Sequence, residues 1–370
     1  MHNEEKTYLD LVRAALWGNK TPWPVEQTNR LLMLNAQQGT GSLVFPMVLD
    51  QEDIPASARM QMKGICMQTM QQHVKLHHTL EQAWNALEKA GVKAVLMKGA
   101  GLAALYPEPQ FRTWGDIDLF VGIEQYHPAC AAMRETFPDA LKFDEELDHY
   151  KHYNLIADGV SIEIHRVSVG HQHPVDELRY ARMEEKGMQQ AVPLTITNNQ
   201  SPITVTIPEP TFNALFVLLH SWEHMMTQGA NVRQICDLAL LLHQYKEVLN
   251  VEQLKHDLNA LHLMDVWQLY MWICVNALGL PRDEALFYTD AVASRAEHLL
   301  DDLLSGMMVE PKHAASTATN RIARKMHTMQ ERMKNADRIE QYSPAYAWHM
   351  RATTWLHGAR RFFAKDRHWE

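Results

Sequence analysis

The chain has little cysteine, no long apolar run and no excess of positive charge, and each shortage removes a class of protein. Only Cys66, Cys130, Cys236 and Cys274 occur among 370 residues, scattered and without a Cys-x-x-Cys spacing. A disulfide framework or zinc knuckle is therefore not expected, and reduced thiols are. No stretch reaches the ~18 apolar residues that a membrane-spanning helix needs. The richest segment, residues 214–219, is closed by His220. The opening residues MHNEEKTYLDLV carry acids early and no signal-type apolar run. A cytoplasmic chain without a membrane partner is the expectation. Acidic residues outnumber basic ones, 44 to 35, for a net charge of −9. That argues against a surface coated for nucleic acid, although a local basic groove stays open.

Apolar residues make up 46% of the chain, enough for a sizeable core. The texture runs from helices, through a mixed block, to helices again. Residues 5–16, 25–37 and 55–90 carry helical periodicity, the last with Leu76, Leu80, Trp84 and Leu87 on one face and Gly91 as its stop. Residues 92–97 (VKAVLM) read as a buried strand, followed by Lys98-Gly99 and a short helix to Leu105. After a loop over 106–115, DIDLFV (116–121) reads as a second strand, and 124–136 as a helix. Asp158-Gly159 signals a hairpin between 149–156 and 160–167, and Asn198-Asn199 a second one between 191–197 and 202–207. Helical patterns follow at 211–227, 231–245, 251–277, 284–305, 314–340 and after Pro344. The expected organisation is a helical region over 1–90, an α/β core over 91–209 and a helical domain over 210–370. In fold class this is α+β: a small mixed sheet with flanking helices, packed against a mainly helical domain.

The chemistry concentrates in the mixed block. Asp116 and Asp118 flank Ile117, and side chains alternate along a strand, so both carboxylates project the same way. Two anions side by side repel unless a cation lies between them, and Mg²⁺ or Mn²⁺ prefers such oxygens. In SIEIHR (161–166), Ser161, Glu163 and His165 share one face while Val160, Ile162 and Ile164 take the other. If that strand lies beside 116–121, Glu163 approaches the Asp pair. Three carboxylates can hold two metal ions ~3.5–4 Å apart. His165 reads either as a hydrogen-bond partner of a ligand carboxylate or as an ordinary partly buried histidine. Upstream, Gly99 lets backbone approach a phosphate, the helix that starts there aims N–H groups at an anion, and Lys98 and Arg112 add positive charge.

The run LMKGAGLAALYPEPQFRTWGDIDLFV, residues 96–121, resembles the signature of a bacterial family of uncharacterised nucleotidyltransferases within the DNA polymerase β-like superfamily. The matching positions are Lys98, Gly99, Leu102, Tyr106, Arg112, Asp116, Ile117, Asp118 and Leu119. The family's later Glu-Ile-His falls on Glu163, Ile164 and His165, and a third likeness covers 208–224 with Arg233 and Asp237-Leu238. The resemblance spans roughly residues 25–260. It implies a nucleotidyltransferase core, an NTP donor and an acceptor left open among small molecules, proteins and RNA. It also implies catalysis by Asp116, Asp118 and Glu163 as metal ligands, with Lys98, Gly99, Ala100 and Arg112 on the nucleotide. The superfamily usually has Gly or Ser where this chain has Ala100.

Other features admit blander readings. HSWEH (220–224) fits the His-x-x-Glu-His zincin pattern, but a structural helix face explains it as well. Arg233 and Asp237 read as an i, i+4 helix pair. The basic C-terminal stretch with Arg321, Arg324, Lys325, Arg332, Arg338, Arg351, Arg360, Arg361, Lys365 and Arg367, interleaved with Trp348, Trp355 and Phe362, reads as a solvated helix face or as a contact for RNA. Beside the transferase stand two alternatives: a catalytically weak nucleotide-binding or interaction module, such as a toxin–antitoxin component, and an Asp-x-Asp glycosyltransferase, which leaves Lys98-Gly99 and Glu163 unexplained.

Overall fold

The computed structural model describes residues 2–143, 147, 151–169, 174–197, 202–227, 229–306, 330 and 333–363. The chain forms two compact units: His2–Gly170 with Glu184–Ala214, and His171–Met183 with Leu215–Trp369. The helices of the region read over 1–90 and the sheet fall in one of these units. The fold is α+β with a helical portion.

In the first unit, α1 (Asn3–Trp17), α2 (Thr28–Gln37), α3 (Gly41–Val44) and the 34-residue α4 (Ala56–Lys89) precede the sheet. The start of α1 is fixed by Glu5, whose carboxylate accepts from the His2 N–H at 2.7 Å, and its end by Gly18 in the left-handed region. α4 buries Met62, Cys66, Thr69, His73, Leu76, Leu80, Ala83 and Leu87, a stripe at spacings of three and four. Then come β1 (Val95–Met97), α5 (Gly99–Ala103), β2 (Asp116–Phe120), α6 (Gly122–Thr136), β3 (Leu141–Lys142), β4 (His152–Ala157) and β5 (Val160–His165). The sheet order is β1-β2-β5-β4-β3, with β2 and β5 parallel and the other pairs antiparallel.

Alternation gives this sheet two unlike faces. Ile117, Leu119, Tyr153, Leu155, Ile162 and Ile164 are fully buried. Between them along the strands lie Asp116, Asp118, Asn154, Ser161, Glu163 and His165. The expected first hairpin forms, with Asp158 at φ 49° and Gly159 at φ 75° turning Ala157 onto Val160. That turn pairs Asn154 with Glu163 and His152 with His165. The second hairpin pairs β6 (Val192–Ile196) with β7 (Ile203–Ile207), and Thr206 Oγ1 donates to the Ala94 carbonyl at 2.7 Å beside β1. Its Asn198-Asn199 turn lies outside the described residues. The short strand β3 was not anticipated; two residues carry too little pattern to stand out.

The remaining helices are α7 (Pro174–Gln189), α8 (Pro210–Thr227), α9 (Val232–Tyr245), α10 (Val251–Ala260), α11 (Met264–Asn276), α12 (Ala293–Ser305), α13 (described over 333–340) and α14 (Pro344–Phe363). Two expectations are corrected. The helix read over 251–277 is two helices, broken at Leu261–Leu263, where His262 adopts φ 58° and the Leu263 N–H reaches back to Leu258 O at 2.7 Å. No Gly or Pro marks this break; the apolar phase runs on through it. The helix read over 284–305 begins only at Ala293, after a turn that Thr289 caps through the Ala291 N–H. Arg233 and Asp237 do pair, at 3.8 Å. All four cysteines are buried and unlinked. Among the described residues no helix is long and apolar enough to cross a membrane.

Candidate active site

The polar face of the sheet gathers the acids. Asp118 stands on the interior strand β2 between Met97 of β1 and Glu163 of β5, and Asp116 lies two residues before it on the same face. The parallel register sets Asp118 directly beside Glu163. His165 joins them: its Nε2 lies 3.0 Å from Asp118 Oδ1 and 3.1 Å from Glu163 Oε2. The expected approach of Glu163 to the Asp pair thus runs through an imidazole. His165 Nδ1 sits 3.3 Å from the Val167 carbonyl, so a ring protonated on both nitrogens finds an acceptor on each side.

Lys98, just past the end of β1, closes the cluster, with Nζ 3.0 Å from Asp118 Oδ1. Its backbone holds φ 52°, an unusual conformation for a residue with a side chain. Gly99 follows at φ 40°, and a Cβ there would lie 3.0 Å from the Trp114 ring, so this position requires glycine.

Burial and charge set the protonation pattern. Burial works against the Lys98 ammonium, but Asp118 and Asp116 outweigh it and raise its pKa. Burial likewise opposes ionisation of Asp118, yet Lys98 and His165 hold it below the ordinary carboxylate range. Burial disfavours charge on His165, and its bonds to Asp118 and Glu163 prevail and raise its pKa. Glu163 is lowered despite burial, chiefly by His165. Asp116 goes the other way: the Asp118 charge, then burial, push it up to about 6. Asp118 Oδ2 is buried and finds no hydrogen-bond partner among the described residues. A carboxylate oxygen in that state, beside an acid whose ionisation its neighbours resist, is chemically suited to a divalent cation.

Of the residues expected on the nucleotide, only Lys98 brings a side chain to the cluster. Ala100 is wholly buried. Arg112 is also buried, and its Nη1 donates to the Gly99 carbonyl at 3.1 Å. Its fork therefore fixes the backbone of the Lys98-Gly99 turn. Leu102 and Tyr106, two further motif positions, are core residues. At five residues, α5 has little macrodipole, so the positive charge here comes from the Lys98 side chain.

Sequence reasoning missed His152, whose Nδ1 lies 3.8 Å from Glu163 Oε2 and whose ring stands 5.0 Å from that of His165. Counting back from the Asp158-Gly159 turn puts His152 opposite His165, so the signal was present. It also missed His73, which burial holds at a pKa of about 4 and which accepts from Trp114 Nε1 at 2.8 Å, bracing the ring that faces Gly99. His152, Glu163 and His165 form one of two described groups with metal-ligand spacing. His220 and His224 of the zincin-like pattern pack ring against ring, with centroids 4.4 Å apart, and neither group includes them. Most of the basic C-terminal stretch lies outside the described residues; Arg351 within it pairs with Asp337 and Glu340, each at 2.7 Å.

An acidic sheet face bordered by a lysine and histidines, on a small mixed sheet, has the make-up of a site for cations and phosphates together. Residues 24–279 match the family described as uncharacterised nucleotidyltransferase, and the chain belongs to that family. Membership supports a general nucleotidyl-transfer role and implies an NTP substrate. No curated protein and no solved structure matches the chain.

Proposed function

We propose that the chain transfers a nucleoside monophosphate from an NTP to an acceptor hydroxyl or phosphate, with Asp116, Asp118 and Glu163 as the ligands of two divalent cations, Mg²⁺ or Mn²⁺. The observation that carries this reading is the buried Asp118 Oδ2, without a hydrogen-bond partner among the described residues and flanked by two further acids. When bound, the cations neutralise the triphosphate and make the acceptor oxygen a better nucleophile. The acceptor oxygen attacks the α-phosphorus, the bond to the β-phosphate oxygen breaks, and pyrophosphate leaves with the bonding electrons. Glu163, the more exposed of the two carboxylates on His165, takes the acceptor proton. Lys98 holds phosphate oxygens while remaining paired with Asp118, and Gly99 lets the chain come close. Arg112 keeps that turn in shape, and His165 orients Asp118 and Glu163. Catalysis of this kind is positioning and charge stabilisation.

The test is incubation with labelled NTPs, Mg²⁺ or Mn²⁺ and a cell extract, beside the Asp116→Ala/Asp118→Ala double variant. The expected result is a labelled product that falls by at least ~10²-fold in the variant. A second reading, the nucleotide-binding module without turnover, draws on the burial of Ala100 and Arg112, which leaves Lys98 as the one side chain of the expected phosphate set at the cluster. Nucleotide binding with no labelled product in any extract would select that reading.

A further inference from the structure

The second group with metal-ligand spacing lies in the helical unit. Asp176 comes from the first turn of α7, His262 from the corner between α10 and α11, and His349 from α14. Their ligand atoms all lie within 4.8 Å of one another. His349 Nε2 is 2.5 Å from Asp176 Oδ2, and the His262 and His349 rings stand 4.0 Å apart between centroids. Tetrahedral ligands on zinc bonds of about 2.0–2.2 Å lie about 3.4 Å apart. That spacing is reached by a rotation of the exposed His262 ring and an opening of the 2.5 Å His349–Asp176 contact by about 0.9 Å.

Three details favour a bound ion over a plain histidine–aspartate pair. First, two imidazoles from separate segments stack within reach of one carboxylate, so that two nitrogens and an oxygen converge on one point. Second, His262 occupies the left-handed position that ends α10, where glycine is the favoured residue. A large side chain is kept at a site that costs backbone energy. Third, Arg179 secures the frame: it donates to the Ala260 carbonyl at 2.8 Å, next to this corner, and approaches Asp176 through Oδ1 at 3.6 Å. Oδ2, the oxygen on the His349 side, faces the histidines.

We propose that Asp176, His262 and His349 form a site for a divalent transition-metal ion of zinc's class, distinct from the sheet acids, that staples α7, the α10–α11 corner and α14. Two nitrogens and one oxygen suit borderline-soft Zn²⁺ or Co²⁺ and discriminate against Mg²⁺. The exposed His262 leaves the fourth position to water.

The test uses the full chain, stripped with chelator and titrated with Zn²⁺ by calorimetry, with thermal unfolding followed in parallel. Zinc at this site, counted apart from any that the sheet acids take up, raises Tm by about 5 °C at saturating metal. His262→Ala, at an exposed position, weakens that binding at least ~10-fold and removes the Tm rise. His349→Ala behaves likewise, while Glu163→Gln, in the sheet acids, keeps the zinc. The inference is overturned if the wild type binds no zinc, if His262→Ala binds as tightly, or if Glu163→Gln abolishes the site.

Discussion

His165 is the residue on which the acidic cluster balances. It spans Asp118 and Glu163 with a single nitrogen, and without it the two carboxylates and Asp116 face each other across a buried strand end with Lys98 as the nearest cation. Removing one partner of a buried charge group is costly. His165→Ala is therefore expected to lose roughly 3 kcal/mol in the absence of divalent cations, and to recover part of that loss with millimolar Mg²⁺, as read by urea denaturation with and without the metal. A loss that Mg²⁺ does not touch would separate His165 from the cation reading. Glu184 offers a second test. It is buried beside Ser168, whose N–H donates at 2.6 Å and whose Oγ also bonds it, yet burial still raises its pKa from 4.5 to about 7. The folded chain therefore holds a proton there that the unfolded chain releases. Stability falls as pH rises from 4.5 to about 7, by up to ~1.4 kcal/mol per pH unit from this group, and levels off above. Glu184→Gln flattens that slope in denaturation curves taken across the window.

At the scale of elements, the sequence was most legible where a local rule acts alone. Asp158-Gly159 set the β4–β5 turn, and alternation in DIDLF and SIEIH set which side chains share a face. The same two rules together would have found His152. The roles of Arg112 and Ala100 were illegible because they depend on which way a loop folds back: motif spacing cannot distinguish an arginine that meets phosphate from one that bonds the Gly99 carbonyl. The break at His262 was hidden because its cause is a capping geometry without glycine or proline, inside an unbroken apolar phase. Helix packing offers its own prediction. A Cβ at Gly187 of α7 would lie 2.3 Å from Phe212 Cγ and 2.4 Å from its Cβ, so no rotamer change relieves it. Gly187→Ala should cost ~2 kcal/mol or more, lowering the urea midpoint with the slope unchanged. An unchanged midpoint would mean that α7 and the start of α8 adjust freely.

For the whole molecule, order along the chain foretold the class: helices, a mixed sheet, helices. Length and composition could not foretell that α1–α4 join the sheet in one unit. That grouping depends on non-local contacts, such as Ser42 Oγ to the Phe111 carbonyl at 2.6 Å. The family match reaches across both units, from 24 to 279, so nucleotidyl transfer is a property to be tested on the full chain. The most direct measurement is anomalous diffraction from crystals grown with Mn²⁺ and a non-hydrolysable NTP analogue. Manganese peaks in contact with Asp118 Oδ2, Asp116 and Glu163, with the triphosphate against Lys98 and Gly99, are the expected result. Nucleotide bound elsewhere, or manganese absent from these three carboxylates, would contradict the account.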